Sequence, residues 1–308
     1  MPALVRRPAA LILAMLLACA GCASLGPPLA SQPVELTATP FHPQQDYLCG
    51  PAALATVLQP SGVNVHPDAL IADLYIPERQ GTLQVELAAA ARRQGRLAVE
   101  LGGTLGGIVR QLERGRPVLV LQNLATRRSP VWHYAVVVGY QPDGNRFVLR
   151  SGRERRQIMA QSRFQATWKR ADNWALVVVD PEAEPSGLDA ASYLRAAADL
   201  ERSGAHQQAL RAFRSATGAW PDQPTALLGQ ANNLYYLARF AEAEALYGQL
   251  VAEQPNQLVA IHNLTMLLLE QGRYCQAQAV VQAAADHQGE LMERARGAVA
   301  TAPAGACP

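Results

Sequence analysis

Residues 44–54 read Gln44-Gln45-Asp46-Tyr47-Leu48-Cys49-Gly50-Pro51-Ala52-Ala53-Leu54, and this stretch is the most informative part of the 308-residue sequence. Pro51 suits the first turn of a helix, because a backbone N–H has no intrahelical partner there. Cys49 is therefore predicted at or just before a helix N-terminus. The free N–H groups and the helix dipole at that end favour a thiolate over a thiol. We therefore expect the pKa of Cys49 to lie below its ordinary value of about 8.5.

A cysteine nucleophile needs a base, and one of the six histidines fits that role best. His133 opens the apolar, β-branched run of residues 132–140, which predicts a strand. The end of a strand can hold an imidazole rigidly across a cleft from a helix end. The other five lie in loop-like sequence or in the C-terminal repeats described below: His42, His66, His206, His262 and His287. The sequence therefore pairs Cys49 with His133.

This ordered set resembles the bacteriocin-processing peptidases that cut after double-glycine leaders, a papain-like cysteine peptidase family, and their stand-alone relatives. The resemblance rests on a glutamine, then Cys-Gly-Pro, then a histidine at the start of a downstream strand, and it covers residues of about 41–180. It implies that Cys49 attacks, that His133 moves the proton and that an upstream glutamine stabilises the oxyanion. Gln44 fits the position of this glutamine best, and Gln45 is the alternative. Such a donor contributes roughly 2.7–4 kcal/mol to the transition state.

One residue of the family pattern is missing. Relatives carry an aspartate on the strand after the histidine, where it orients the imidazole. Residues 147–152 read Phe-Val-Leu-Arg-Ser-Gly and contain no carboxylate. Ser151 is the residue that could take this orienting role, without a charge. A cysteine–histidine pair can still act without the third residue, but the loss lowers the expected activity.

The order of predicted elements indicates an α+β fold, a papain-like domain of helices plus an antiparallel sheet over residues 41–182. Helices are expected at 49–58, 67–75, 83–94 and 104–114. Strands are expected at 117–121, 133–140, 146–150 and 174–179. Helices first and an antiparallel sheet second are typical of that class. The polar, proline-containing residues 181–187 predict the end of the domain.

An all-α domain of three tetratricopeptide-type repeats is expected over residues 188–291, followed by a C-terminal tail at 292–308. Ala209, Ala243 and Ala277 recur every 34 residues, which is the period of this repeat. In this repeat type the first helix of each pair lines a concave groove. Its inward positions are candidates for binding a peptide or protein partner: Arg195, Arg202, Asn232, Tyr236, His262 and Asn263.

The N-terminus resembles the signal peptide of a bacterial lipoprotein. Arg6 and Arg7 precede a short apolar run and small residues that end at Cys22, so residues 1–22 are predicted as a signal and Cys22 as the lipidated residue. Cys19 is an alternative. The resemblance implies attachment to the cell envelope through an N-terminal lipid, at the outer membrane facing the periplasm. Residues 23–40 are then expected to form a tether.

Export to an oxidising compartment also bears on the remaining cysteines. With Cys49 kept for catalysis, Cys275 and Cys307 are the two left, and we expect a disulfide between them. The net charge of +2 does not indicate a nucleic-acid partner. The histidines and carboxylates show no metal-ligand spacing, and no cofactor motif is present in the sequence.

The sequence therefore predicts an envelope-anchored cysteine peptidase whose repeats bind the substrate or a partner. The alternative is a weak or inactive peptidase fold that serves as a binding scaffold in an envelope complex. The missing carboxylate favours the second interpretation, whereas Gln44, Cys49 and His133 favour the first.

Overall fold

A computed structural model describes residues 28–44, 48–301 and 303. Seven strands form an antiparallel sheet in the order β2-β7-β3-β4-β5-β6, and β1 pairs with β4 beside this path. The strands are β1 (Val34–Glu35), β2 (Leu97–Glu100), β3 (Val118–Asn123), β4 (Trp132–Gln141), β5 (Arg146–Ser151), β6 (Glu154–Ala160) and β7 (Ala175–Val179).

Five helices accompany the sheet within the described part of the N-terminal half. They are α1 (Cys49–Leu58), α2 (Asp68–Leu74), α3 (Gln84–Arg93), α4 (Leu105–Glu113) and α5 (Gln161–Lys169). The helices and strands expected from the sequence are present, each within two residues at its ends. The sequence did not predict β1, β2, β6 and α5.

The sheet is covered on both faces, because its central strands are apolar at every position. Along β7, Ala175, Val177 and Val179 belong to one buried cluster and Leu176 and Val178 to the other. This alternation follows from the two-residue period of a strand. Helices α1, α2 and α3 pack on one face. Helices α4 and α5 and the first repeat pack on the other.

The predicted tether at 23–40 is wrong for its described residues, which belong to the folded domain. Leu36 packs against both buried clusters, and its backbone N–H donates to the Val138 carbonyl at 2.7 Å. The buried Arg150 guanidinium also donates to the carbonyls of Thr37 and Thr39, at 3.5 and 3.3 Å. These long-range contacts fix a segment whose composition alone resembles a linker.

The repeat region contains three helix pairs with the predicted period. The first helices, α6 (Ala190–Arg202), α8 (Pro224–Tyr236) and α10 (Leu258–Glu270), begin and end 34 residues apart. The second helices, α7 (His206–Ala219), α9 (Phe240–Glu253) and α11 (Tyr274–Ala283), also begin 34 residues apart. The recurring alanines 209, 243 and 277 are fully buried, so the period marks positions where paired helices touch.

The predicted C-terminal tail at 292–308 is wrong for its first residues. Helix α12 (Glu290–Ala300) packs against α10 and α11, with Met292 and Ala295 completely buried. A helix at this position covers the apolar side of the last repeat, as terminal repeats need a capping element.

Candidate active site

Cys49 is the first residue of α1, as the sequence predicts, and its side chain is partly buried. Burial raises the pKa of the Cys49 thiol above its ordinary value, and the backbone N–H groups of Tyr134, Cys49 and Gly50 lower it by less. The expectation of a resting thiolate is therefore wrong, because the low dielectric of the site outweighs the helix end. The contribution from Tyr134 also places the thiol beside β4, next to His133.

Gly50 allows α1 to begin where it does. A Cβ at position 50 would lie 2.4 Å from the Thr82 hydroxyl oxygen and 2.6 Å from its Cβ, well inside van der Waals contact. The loop before α3 therefore packs directly on the start of α1. This close approach explains why glycine follows the cysteine.

His133 lies on β4 and is held by Ser151 at the end of β5. The imidazole Nε2 and the Ser151 hydroxyl oxygen are 2.9 Å apart, and Ser151 is only 7% exposed. This bond leaves Nδ1 as the nitrogen available to the thiol. Ser151 thus takes the position in which the sequence lacked a carboxylate.

Burial lowers the pKa of His133 below its ordinary value. A raised thiol pKa and a lowered imidazole pKa both favour the uncharged forms, so the resting pair is neutral. An anionic partner beside His133 would reverse the second shift, and Ser151 supplies none. Proton transfer from Cys49 to His133 must therefore accompany attack on a substrate.

Gln44 is fixed beside these residues by the turn after β5. Its side-chain oxygen accepts from the Gly152 backbone N–H at 3.1 Å, and its backbone N–H donates to the Gly152 carbonyl at 3.0 Å. Its amide nitrogen donates to the Tyr134 carbonyl at 3.3 Å. An amide carries two N–H donors, so one remains for a developing oxyanion. Gln45, the alternative donor, lies outside the described residues.

Cys49, His133 and Gln44 line one cleft with a volume of about 880 Å³. The sequence analysis did not identify other residues of its wall, which come from loops distant in sequence. Trp132 and Val131 are 54% and 53% exposed at its edge, and Arg79 and Arg153 add positive charge. The cleft can therefore hold a substrate of peptide size over the thiol, with apolar and cationic contacts around it.

The six predicted peptide-binding residues of the repeats divide between two cavities. Asn232, Tyr236, His262 and Asn263 line a small one of about 300 Å³. Arg195 and Arg202 line a groove of about 730 Å³ between α6 and the peptidase domain. The expectation of one groove along all three repeats is therefore wrong, because α6 faces α3 and β2.

Several predicted binding side chains of the small cavity are already bonded within the repeats. The side-chain oxygen of Asn232 accepts from the Tyr247 hydroxyl at 2.8 Å and from the Asn263 amide at 3.0 Å. The His262 Nδ1 lies 3.2 Å from the Leu291 carbonyl. Tyr236 stays 62% exposed, with one face of its ring stacked on His206 at 4.4 Å. Tyr236 is the side chain of this set best placed to meet a partner.

Three predicted residues fall partly or wholly outside the described chain. Cys22, the predicted lipidation site, its alternative Cys19 and Cys307 lie outside the described residues. Cys275 is disulfide-bonded, and pairing with Cys307 stays a prediction.

Neither a metal cluster nor a membrane-spanning helix is found in the described residues. No group of three or more His, Cys, Asp or Glu side chains in this part of the chain could hold a metal ion. Within residues 28–44, 48–301 and 303, the helices are too short or too polar to cross a bilayer.

Comparison with known proteins gives a match to the N-terminal part of the chain. A family model described as the Peptidase_C39 like family matches residues 28–176, just under half of the sequence. No curated protein matches.

Solved structures are similar at low identity. A protein from Bacillus anthracis described as a C39-like peptidase is 18% identical, with a TM-score of 0.40 over 48% of this chain and 98% of that one. The peptidase domain of Streptococcus ComA, a bi-functional ABC transporter, is 22% identical, with a TM-score of 0.38 over 46% and 98%. A tetratricopeptide repeat protein from Parabacteroides merdae is 18% identical, with a TM-score of 0.33 over 46% and 51%.

Proposed function

Residues 28–176 form a domain of the Peptidase_C39 like family, and we propose that this protein is a cysteine peptidase with Cys49 as nucleophile and His133 as base. The observation that carries the proposal is that both line one cleft together with Gln44. The Ser151 bond to Nε2 supports it further, because it leaves the other imidazole nitrogen for the thiol.

The reaction begins from the neutral pair. As the Cys49 sulfur attacks the peptide carbonyl carbon, its proton moves to Nδ1 of His133, and the imidazolium donates to Ser151 through Nε2. The negative charge on the carbonyl oxygen is met by the free N–H of Gln44 and the backbone N–H of Cys49. The imidazolium then protonates the departing amine, and the C–N bond breaks. Water, deprotonated by His133, hydrolyses the thioester and restores the thiol.

A specific observation favours a second candidate, a binding scaffold with weak or no catalysis. The partner of His133 is a hydroxyl and not a carboxylate, so no fixed charge stabilises the imidazolium. In this alternative the cleft and the repeats hold a peptide without cutting it.

The proposed location is the cell envelope, through a lipid on Cys22. The support is the N-terminal sequence alone, with its basic start, apolar run and small residues. Because residues 28–40 are packed on the domain, only residues 23–27 would separate the lipid from the folded part. Mass spectrometry of the mature N-terminus should find diacylated or triacylated Cys22, and an unmodified terminus beyond it would contradict the proposal.

A peptide library separates the two candidate activities. The intact protein is incubated with a proteome-derived peptide library, and new termini are identified by mass spectrometry. A peptidase produces new termini that the Cys49→Ala variant does not produce, while that variant retains bound peptides. A scaffold retains the same peptides on both proteins and produces no new termini. Equal cleavage by both proteins would overturn the assignment of Cys49.

A further inference from the structure

The first repeat is fixed to the peptidase domain by a shared hydrophobic core. Tyr193, Ala197 and Leu200 of α6 lie in the same buried cluster as Leu97 and Val99 of β2. Burial of apolar area against the sheet stabilises this arrangement. The exposed side of α6 therefore has a set position relative to the catalytic cleft.

The segment that joins the two domains is held as well. The Arg116 guanidinium donates to the Ser186 carbonyl at 2.8 Å and to the Glu184 carbonyl at 2.5 Å. The Gln111 amide donates to the Gly187 carbonyl at 2.7 Å. These bonds oppose a hinge motion between the domains.

The groove beside α6 adjoins the catalytic cleft. Leu83 and Gln84, at the start of α3, line both cavities. Tyr134 of the cleft and Trp174 of the groove are in edge-to-face ring contact, with centroids 5.9 Å apart. A chain that leaves the cleft across α3 therefore enters the groove directly.

The charges along this path are mainly positive. Arg79 and Arg153 line the cleft, and no carboxylate does so within its described part. In the groove, Asp199 already pairs with Arg92 at 3.4 Å and with Arg202. These pairs leave Arg195 exposed, and its guanidinium donates to the Ser192 hydroxyl at 2.8 Å.

Apolar surface lies between the arginines. Trp132 is exposed at the edge of the cleft, and Val85, 60% exposed, lines the groove. An extended peptide advances about 3.3–3.6 Å per residue and turns alternate side chains to opposite sides. A segment with alternating acidic and apolar residues would match this surface.

We propose that the cleft and the groove bind one extended acidic peptide, with Arg153 and Arg195 each contacting a carboxylate of the bound chain. The inference rests on the proposed function, since it names the class of substrate for that site. The repeats then extend the substrate site of the peptidase and do not act as a separate module.

The test measures binding to the full-length Cys49→Ala protein, so that hydrolysis does not disturb the equilibrium. The probes are three fluorescein-labelled peptide pools of equal apolar content, whose charged positions are all Glu, all Gln or all Lys. The Glu pool should bind most tightly and the Lys pool least. Arg195→Glu should lower the Glu-over-Gln preference about 2- to 30-fold, because an exposed ion pair worth about 1.4- to 5-fold becomes a repulsion of similar size.

Arg214→Glu is the matched control, an exposed arginine of α7 outside this groove. It should leave the preference unchanged. Arg153→Glu should lower the preference in long and short pools alike. Arg195→Glu should act only on pools long enough to leave the cleft, since it contacts the far part of the chain.

The outcomes separate this inference from the peptidase assignment. No Glu preference, or equal effects of Arg195→Glu and Arg214→Glu, would overturn the acidic-peptide site. Loss of the length dependence would overturn the continuous path. The same pools incubated with the unsubstituted protein test hydrolysis independently, so binding without cleavage would refute the peptidase and leave the site standing.

Discussion

Ser151 offers the sharpest test of how His133 is held. The imidazole Nε2 and the Ser151 hydroxyl are 2.9 Å apart and the serine is buried, so Ser151→Ala removes the bond without opening the site to solvent. A neutral hydrogen bond of this kind is worth about 0.5–1.5 kcal/mol. If that loss falls wholly on the transition state, kcat/KM decreases about 2- to 13-fold.

The complementary change supplies the missing charge. In Ser151→Asp, a carboxylate about 4 Å from the imidazole would attract its charged form by about 4 kcal/mol at an effective dielectric of 20, less the cost of its own burial. A neighbouring opposite charge shifts a pKa by about 1–3 units, so the pKa of His133 should rise. A rise of one unit stabilises the imidazolium about tenfold, and kcat/KM should increase by a similar factor near neutral pH.

The assay is kcat/KM against pH for a peptide found in the library screen. Ser203→Ala is the control, because Ser203 bonds only its own helix, through the Leu200 carbonyl at 2.8 Å. The basic-group inflection should move upward in Ser151→Asp. Activity and pH profile that stay the same in both Ser151 variants would refute the reasoning that Ser151 orients the base.

Two further predictions concern the thiol and the repeats. Because burial raises the pKa of Cys49, its rate of alkylation by iodoacetamide should rise with pH around a midpoint above that of a free thiol, and a lower midpoint would indicate an ion pair instead. Gly229→Ala should destabilise the helical region to urea, since a Cβ there would lie 2.5 Å from the Phe213 ring and overpacking costs about 1–3 kcal/mol. Gly248→Ala, with nothing within 4 Å, should stabilise it by about 0.5–1 kcal/mol, and equal effects of the two changes would contradict the packing.

The sequence predicted the parts of this protein that carry a strong local signal. The 34-residue period placed the starts of all six repeat helices, because close helix contacts require small residues at fixed positions. Cys49 and His133 could be paired because Pro51 indicates a helix start and residues 132–140 a strand.

The remaining features depend on contacts between residues distant in sequence. Strand β6 carries Arg155 and Arg156 on an exposed face, and its polarity suggested solvated sequence instead of a strand. Residues 28–40 resemble a tether until the bonds from Arg150 are known. The raised pKa of Cys49 follows from burial by other segments, which the dipole argument for a single helix does not contain.

The same holds for the groove beside α6. The repeat frame predicted that Arg195 and Arg202 face inward, and they do line a cavity. It did not predict that α3 and β2 form the other wall, because the shared core between the domains has no local sequence signature.

The central claim is that Cys49 cuts peptide bonds with the help of His133. The most direct measurement is kcat/KM for one library-derived peptide with the unsubstituted protein, Cys49→Ala and His133→Ala, each checked for folding by circular dichroism. The account predicts a loss of about a thousandfold or more in both variants, since nucleophile and base act as a unit. Activity that survives in Cys49→Ala would contradict it.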